Sequence, residues 1–190
     1  MELLEEQKLI KDCAAGNLGQ FGALYDFYAE KIYRFVYFRV RHKETAQDLV
    51  SQTFFKALEG IKSFDLTKGN FSSWLYRIAK NNLIDYWRTQ KVHFDIDNLW
   101  DLSSEDNLAY DAEIKEKIQR VKECLVKLDG WHREIIIMKI WDGLTHKEIS
   151  EILGKSEPSI KMTFSRAMGK LRKEEILQLL ILSLLINQII

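Results

Sequence analysis

Arg77, Lys80, Arg88 and Lys91 recur within a stretch, Phe71 to Lys91, that holds neither proline nor glycine. At about 100° per residue they gather on one side of a helix, with Asn81 among them. Phe71, Leu75, Ile78, Ala79 and Tyr86 fall on the other side, where a core would take them. Tyr76 and Trp87 lie along the edge of the basic stripe. Cations spaced in this way track a phosphate backbone, and flat rings beside them offer stacking surfaces to exposed bases. The chemistry open to these residues is binding: holding a nucleic acid strand whose bases are leaving the stack. The plainer alternative is an amphipathic helix whose rings are all buried and whose cations are simply solvated. Bond-making chemistry lacks comparable support. The sequence has no phosphate-cradling glycine loop, no metal-ligand spacing, and no nucleophile set beside a histidine and an acid. The expectation is a non-enzymatic protein with no metal, no cofactor and no small-molecule substrate.

The elements that must position this stretch follow from the totals. A chain of 190 residues holds one medium domain or two small ones. The 28 basic and 28 acidic residues cancel overall but not locally, and the local sign is what steers a charged partner. From Lys31 to Lys91 twelve Lys or Arg face five Asp or Glu. From Val92 to Ile114 there are seven acids (Asp95, Asp97, Asp101, Glu105, Asp106, Asp111 and Glu113) and no Lys or Arg. From Lys155 to Lys173 Glu157 is the only acid. Two basic bodies joined by an acidic strap is the organisation implied.

A single proline, nine glycines and apolar residues recurring at three and four predict an all-α fold. A first helix is expected over about 3–15, and a second, rich in aromatics, over about 20–40. Most of those rings should be core. Arg39, Arg41, His42 and Lys43 then make a basic corner. A third helix over about 44–60 turns Ala46, Leu49, Val50, Thr53, Ala57 and Leu58 inward. Asp48, Gln52, Phe55 and Glu59 recur on another face, where an apolar ring among polar neighbours suits a partner helix. The alternative is that Phe55 folds onto its own domain. A polar loop from Ser63 to Asn70, with Gly69 and Asn70 as breakers, leads into the basic-aromatic helix. Cys13 and Cys124 lack metal-ligand spacing and are expected to be free, buried thiols of a cytoplasmic protein. The acidic N-terminus, without an apolar core, predicts no secretory signal.

Ala-Gln-Asp-Leu-Val-Ser-Gln-Thr-Phe-Phe-Lys-Ala-Leu (46–58) followed by Phe-Ser-Ser-Trp-Leu-Tyr-Arg-Ile-Ala-Lys-Asn (71–81) resembles the promoter-melting domain of bacterial sigma factors of the small extracytoplasmic-function type. Asp48, Leu49, Phe54, Ala57 and Leu58 fit that pattern, while Ser51 and Gln52 depart from it. The resemblance implies that the first segment binds the clamp helices of core RNA polymerase, through Asp48, Leu49, Gln52 and Phe55. It also implies that the loop and following helix capture minus-ten bases, through Asp65, Lys68, Asn70, Trp74, Tyr76, Arg77, Lys80, Asn81, Trp87 and Arg88. Extruding a base costs a few kcal/mol of stacking and pairing, which such a pocket would offset without nucleotide hydrolysis.

Val92 to Asp106 reads as a solvated acidic linker. The resemblance adds a sharper role, since the family's linker imitates a nucleic acid and threads toward the polymerase active centre. Ile114, Ile118, Val121, Leu125 and Leu128 then step as an amphipathic helix closed by Asp129-Gly130. A short apolar helix from Trp131 to Trp141 ends at Asp142-Gly143. Thr145-His-Lys-Glu148 is a capping box, Gly154-Lys155 makes a turn, and Ser156 caps a last helix with Pro158 in its first turn. Two short helices, a glycine turn and a basic second helix read as helix-turn-helix. A plain helical hairpin with solvated cations is the alternative. Outward residues of the last helix can enter a major groove. Arg166 can pair with guanine O6 and N7, Met162 can touch a thymine methyl, and Ser159 and Thr163 can hold phosphates.

Gly-Leu-Thr-His-Lys-Glu-Ile-Ser-Glu-Ile-Leu-Gly-Lys-Ser (143–156) and Ile-Lys-Met-Thr-Phe-Ser-Arg-Ala-Met-Gly-Lys-Leu-Arg (160–172) resemble the minus-thirty-five-reading domain of the same family. That resemblance implies promoter contacts from Ser159, Lys161, Met162, Thr163, Ser165, Arg166 and Lys173. Pro158 and Met162-Thr163 depart from the pattern, so the promoter sequence does not carry over.

The tail from Glu174 to Ile190 is apolar but short of the roughly 20 residues a membrane span needs. An added helix folded back on one domain, a docking helix for an inhibitory partner, and shallow membrane attachment all stay open. The chain is thus expected to have a melting domain over 1–91, a linker over 92–106, a helix-turn-helix domain over 107–173 and an apolar C-terminal helix over 174–190. Its partners would be core RNA polymerase and promoter DNA, with an anti-sigma factor as a further candidate. The rivals are a one-component helix-turn-helix regulator with an N-terminal sensor and a polymerase-binding adaptor that touches no DNA.

Overall fold

The computed structural model describes residues 3–67, 69–90 and 123–172. The acidic strap, the first part of the helix expected after it, Lys68, Lys91, Lys173 and the apolar tail lie outside the described residues. What is described is helical and falls into two bodies.

In the first body α1 spans Leu3–Ala14, α2 Phe21–Val40, α3 Lys43–Gly60 and α4 Phe71–Gln90. Gly16, at φ 103°, turns the chain after α1, a backbone region that only glycine enters freely. Arg41 closes α2 in the left-handed region at φ 52°, its N–H donating to the Tyr37 carbonyl. His42 then caps α3, its Nδ1 accepting the Thr45 N–H at 3.3 Å. The corner that reads as basic is thus a junction of two caps. The core is built from Leu24, Ile32, Phe35 and Val36 of α2, Ala46, Val50 and Ala57 of α3, and Phe71, Leu75, Ala79 and Leu83 of α4, all buried. Burying each large side chain contributes about 1.5–3 kcal/mol.

Aromatic expectations held less well. Of the α2 rings only Phe21, Tyr28 and Phe35 are buried, while Tyr25 is exposed and lies edge-on to Phe54. Tyr33 and Tyr37, one helical turn apart, stack on each other at 5.5 Å and stay half-buried. Tyrosine carries an apolar body and a polar tip, so helical position alone does not commit it to the interior. Cys13 is free and buried, and burial pushes its thiol up, with Asp12 adding to the effect. Such a thiol stays protonated and inert at neutral pH.

The second body holds α5 (Gly130–Ile140), α6 (His146–Leu153) and α7 (Glu157–Arg172), preceded by a helical turn over 123–126. Asp129 caps α5 by accepting the His132 N–H at 3.1 Å. The expected capping box on α6 is present: Thr145 Oγ1 accepts the Glu148 N–H at 3.2 Å and the Glu148 carboxylate accepts the Thr145 N–H at 2.8 Å. Gly154, at φ 64°, ends α6. The core is aliphatic, with Leu125, Ile135, Ile136, Ile137, Met138, Ile149, Ile160, Ala167 and Leu171 buried. Arg133 is buried among them. Its Nε donates to the Leu125 carbonyl at 2.8 Å, and a terminal nitrogen donates to those of Val126 and Leu128 at 2.9 and 2.8 Å. These carbonyls end the preceding turn, where helix geometry leaves acceptors short of donors, and that of Leu125 also accepts the Leu128 N–H at 3.1 Å.

Candidate nucleic-acid interface

On α4 the sequence period separates the faces as expected for cations and aliphatics. Arg77, Asn81 and Arg88 are exposed and share one side of the helix, and Lys80 is half-buried beside them. Arg88 Nη1 donates to Asp85 Oδ1 at 3.3 Å, one turn back. Trp87 is half-buried at the edge of the stripe. The stripe also carries Ile84, 39% exposed and in register between Asn81 and Arg88. Its place in that register was the available signal, though an isoleucine reads by type as core.

Tyr76 is a correction. It is 2% exposed, and its ring meets Phe35 edge-on at 5.0 Å. It belongs to the core and offers no stacking face to a base. Trp74 is half-buried, 4.9 Å from Phe64 and 5.6 Å from Phe71 by ring centroids. It packs against Gly60, where a Cβ would come within 3.0 Å of the indole. Trp74 therefore packs between Gly60 and the rings of Phe64 and Phe71, at the two ends of the loop.

The loop is held by its own side chains. Asp65 Oδ1 accepts from the Thr67 N–H at 2.9 Å and the Thr67 hydroxyl at 2.7 Å. Asn70 Oδ1 accepts the Ser72 N–H at 2.7 Å and so starts α4. Both residues have a structural task on the side that faces the backbone, with Asn70 otherwise exposed.

On α3 Asp48, Gln52 and Phe55 are exposed, Phe55 at 61%. Leu49 is 4% exposed. Its place as a partner contact is corrected, because its side chain is spent on the core.

In the second body α6 and α7 are joined through Gly154, Lys155 and Ser156, and Ser156 Oγ accepts the Ser159 N–H at 3.4 Å. Met162 (50% exposed), Ser165 and Arg166 point outward, with Lys161 exposed beside them and Ser159 half-buried. Lys161 Nζ pairs with Glu157 Oε1 at 2.7 Å, and this bond holds the Glu157 carboxyl below the usual range. Thr163 is 8% exposed and turned inward, so it cannot hold a phosphate as expected. A step of one residue from Met162 moves a side chain by about 100°, enough to cross from groove face to core. The His146 ring lies edge-on to Phe164 at 5.3 Å. Burial, then Lys139 and Lys161, push its pKa down and favour the neutral ring.

Two family models match the chain. Sigma-70 region 2 covers residues 24–92, the first body, and Sigma-70 region 4 covers residues 118–171, the second. The extracytoplasmic-function sigma factor SigW of Bacillus subtilis is 30% identical over 88% of this chain and 95% of its own length. The chain belongs to the extracytoplasmic-function family of RNA polymerase sigma factors. BldN of Streptomyces coelicolor, of the same family, is also 30% identical over 87% of this chain, which spans 64% of that longer protein. Among solved structures, CnrH in complex with the cytosolic domain of CnrY superposes with a TM-score of 0.61 at 25% identity, covering 87% of this chain and 93% of that one.

A sigma factor binds core RNA polymerase and directs promoter recognition through regions 2 and 4. It is not an enzyme, and the bond-making belongs to the polymerase. Among the described residues no group of three metal ligands occurs, and no helix is long and apolar enough to cross a membrane.

Proposed function

We propose that the two bodies divide promoter recognition by chemistry. The exposed cations of α4, Arg77 and Arg88, hold the phosphates of the melted minus-ten strand, with Lys80 beside them. Asn81, Trp87, Asp65, Asn70 and Trp74 complete that interface, with Lys68, outside the described residues, adding to it. On α7 Met162, Ser165 and Arg166 read minus-thirty-five base edges, Ser159 and Lys161 contact the phosphates, and Lys173, outside the described residues, adds to those contacts. Asp48, Gln52 and Phe55 form the contact with the polymerase clamp. In this reading domain two runs over 1–91, the acidic linker over 92–106 and domain four over 107–173.

The observation that carries this reading is the separation of faces. Outward-facing cations stand on α4, and an apolar Phe55 stands apart from them among polar residues on α3. The complex of CnrH with the cytosolic domain of CnrY supports a protein partner here too, which this reading takes to be an anti-sigma factor, and a cytoplasmic site of action.

Replacing Arg77 and Arg88 together by Ala tests the melting role. Open-complex formation on duplex promoter should fall well below closed-complex binding, and a premelted template should recover part of the loss. Equal loss of both complexes would contradict it.

A further inference from the structure

Asn82 is 2% exposed on α4, a polar side chain pressed against α3. Both ends of its amide are engaged. Lys56 Nζ donates to Asn82 Oδ1 at 2.5 Å, Asn82 Nδ2 donates to Thr53 Oγ1 at 2.9 Å, and the Thr53 hydroxyl donates to the Leu49 carbonyl at 2.7 Å. An ammonium can only donate, so the amide oxygen must face Lys56 and the amide nitrogen must face Thr53. Every bond in the chain then runs donor to acceptor in one direction, the arrangement in which bonds polarise and strengthen one another. Thr53 is fully buried, while Lys56 stands at the exposed rim of α3. The sequence hides this, since Thr53 reads as core, Lys56 as a solvated cation and Asn82 as one more polar residue after Asn81.

The two ends of this chain serve different surfaces. Lys56 follows Gln52 by one helical turn on α3, the helix whose outer face meets polymerase in the reading above. Asn82 follows the exposed Asn81 on α4, the helix whose outer face meets DNA. We propose that Lys56, Asn82 and Thr53 are positioning residues that fix the rotation of α4 against α3. The strand-capturing face is thereby presented at a set angle to the polymerase-bound face. Aliphatic contacts alone tolerate small rotations between helices, because they are non-directional. A directed polar chain does not, because turning α4 breaks both bonds of one amide. This inference rests on the sigma-factor reading.

The test uses full-length Lys56→Met, Asn82→Leu, the double variant and Lys56→Arg, each assembled with core polymerase on a promoter selected by the wild-type holoenzyme. Core affinity should stay within about twofold of wild type, while open-complex lifetime falls about tenfold in either single variant. The double variant should fall no further than the worse single, since both break one chain. Lys56→Arg should recover most of the lifetime. Should Asn82→Leu fold poorly, Lys56→Met at the rim still carries the comparison. Unchanged lifetimes, core affinity falling in step with lifetime, or independent losses in the double variant would overturn the inference while leaving the sigma reading intact. A wild-type holoenzyme that opened no promoter would overturn both.

Discussion

In the proposed reading the two bodies solve the same problem, presenting a basic helix to DNA, with different interiors. The second packs its helices on Leu, Ile, Ala and Met, with one buried arginine closing the turn before α5. Its outward residues on α7, Met162 excepted, stand apart from that core by residue type as well as by angle. The first adds ring contacts to its aliphatics: Phe35 with Tyr76, Tyr28 with Phe71, and Phe64 with Trp74. In that body the residue types that stack on bases are also the types that fill the core. An interior without rings leaves the functional face legible, and one that mixes rings among its aliphatics camouflages it.

Breaking the buried ring contact in the first body should have the largest effect. Tyr76→Ala should cost about 3–5 kcal/mol of stability, because the cavity is not refilled. Chemical denaturation of the full chain measures this. A variant of unchanged stability that lost only DNA binding would restore Tyr76 to the interface. The matching test in the second body is Arg133→Met. It leaves the Leu125, Val126 and Leu128 carbonyls without their charged donor and should cost about 3 kcal/mol. A thermal melt in which this variant matched wild type would show that those carbonyls find other partners.

Smaller effects follow where the face is separate from the core. Arg166→Ala should leave stability alone and weaken or relax upstream recognition by about 1–3 kcal/mol. Promoter selections read out base by base check this, and an unaltered preference would mean that another face of α7 reads the groove. The smallest effect is a pH dependence at the start of α5. The His132 N–H holds the Asp129 carboxyl below its ordinary value, and the His132 ring adds to this. A carboxyl depressed in the folded state stabilises above its unfolded value and loses that contribution as pH falls through the folded one. Stability should therefore decline below about pH 4, by no more than about 1 kcal/mol given how exposed Asp129 is. Asp129→Asn should keep most of the cap and flatten that decline in urea titrations.

Helix boundaries were legible in the sequence to within one or two residues. Gly16, Asn70, Asp129, Thr145, Gly154 and Ser156 act locally, through backbone conformation or a nearby N–H. The aliphatic core of α7 was legible for the same reason, since Ile160, Ala167 and Leu171 have one preference and follow one period. Tyr76, Thr163 and Leu49 were not, as interface residues, because their exposure depends on what packs across from them. Ile84 is the converse, an isoleucine in the solvent-facing register. The polar chain through Asn82 joins residues 29 positions apart in sequence, and no period within one helix reports such a meeting.

The most direct measurement is initiation from a promoter library by purified core polymerase, with and without the full-length chain. The account predicts defined start sites that appear only when the chain is added and share two separated sequence elements. Initiation that stayed unselective, or absent, across the whole library with the chain bound to polymerase would contradict it.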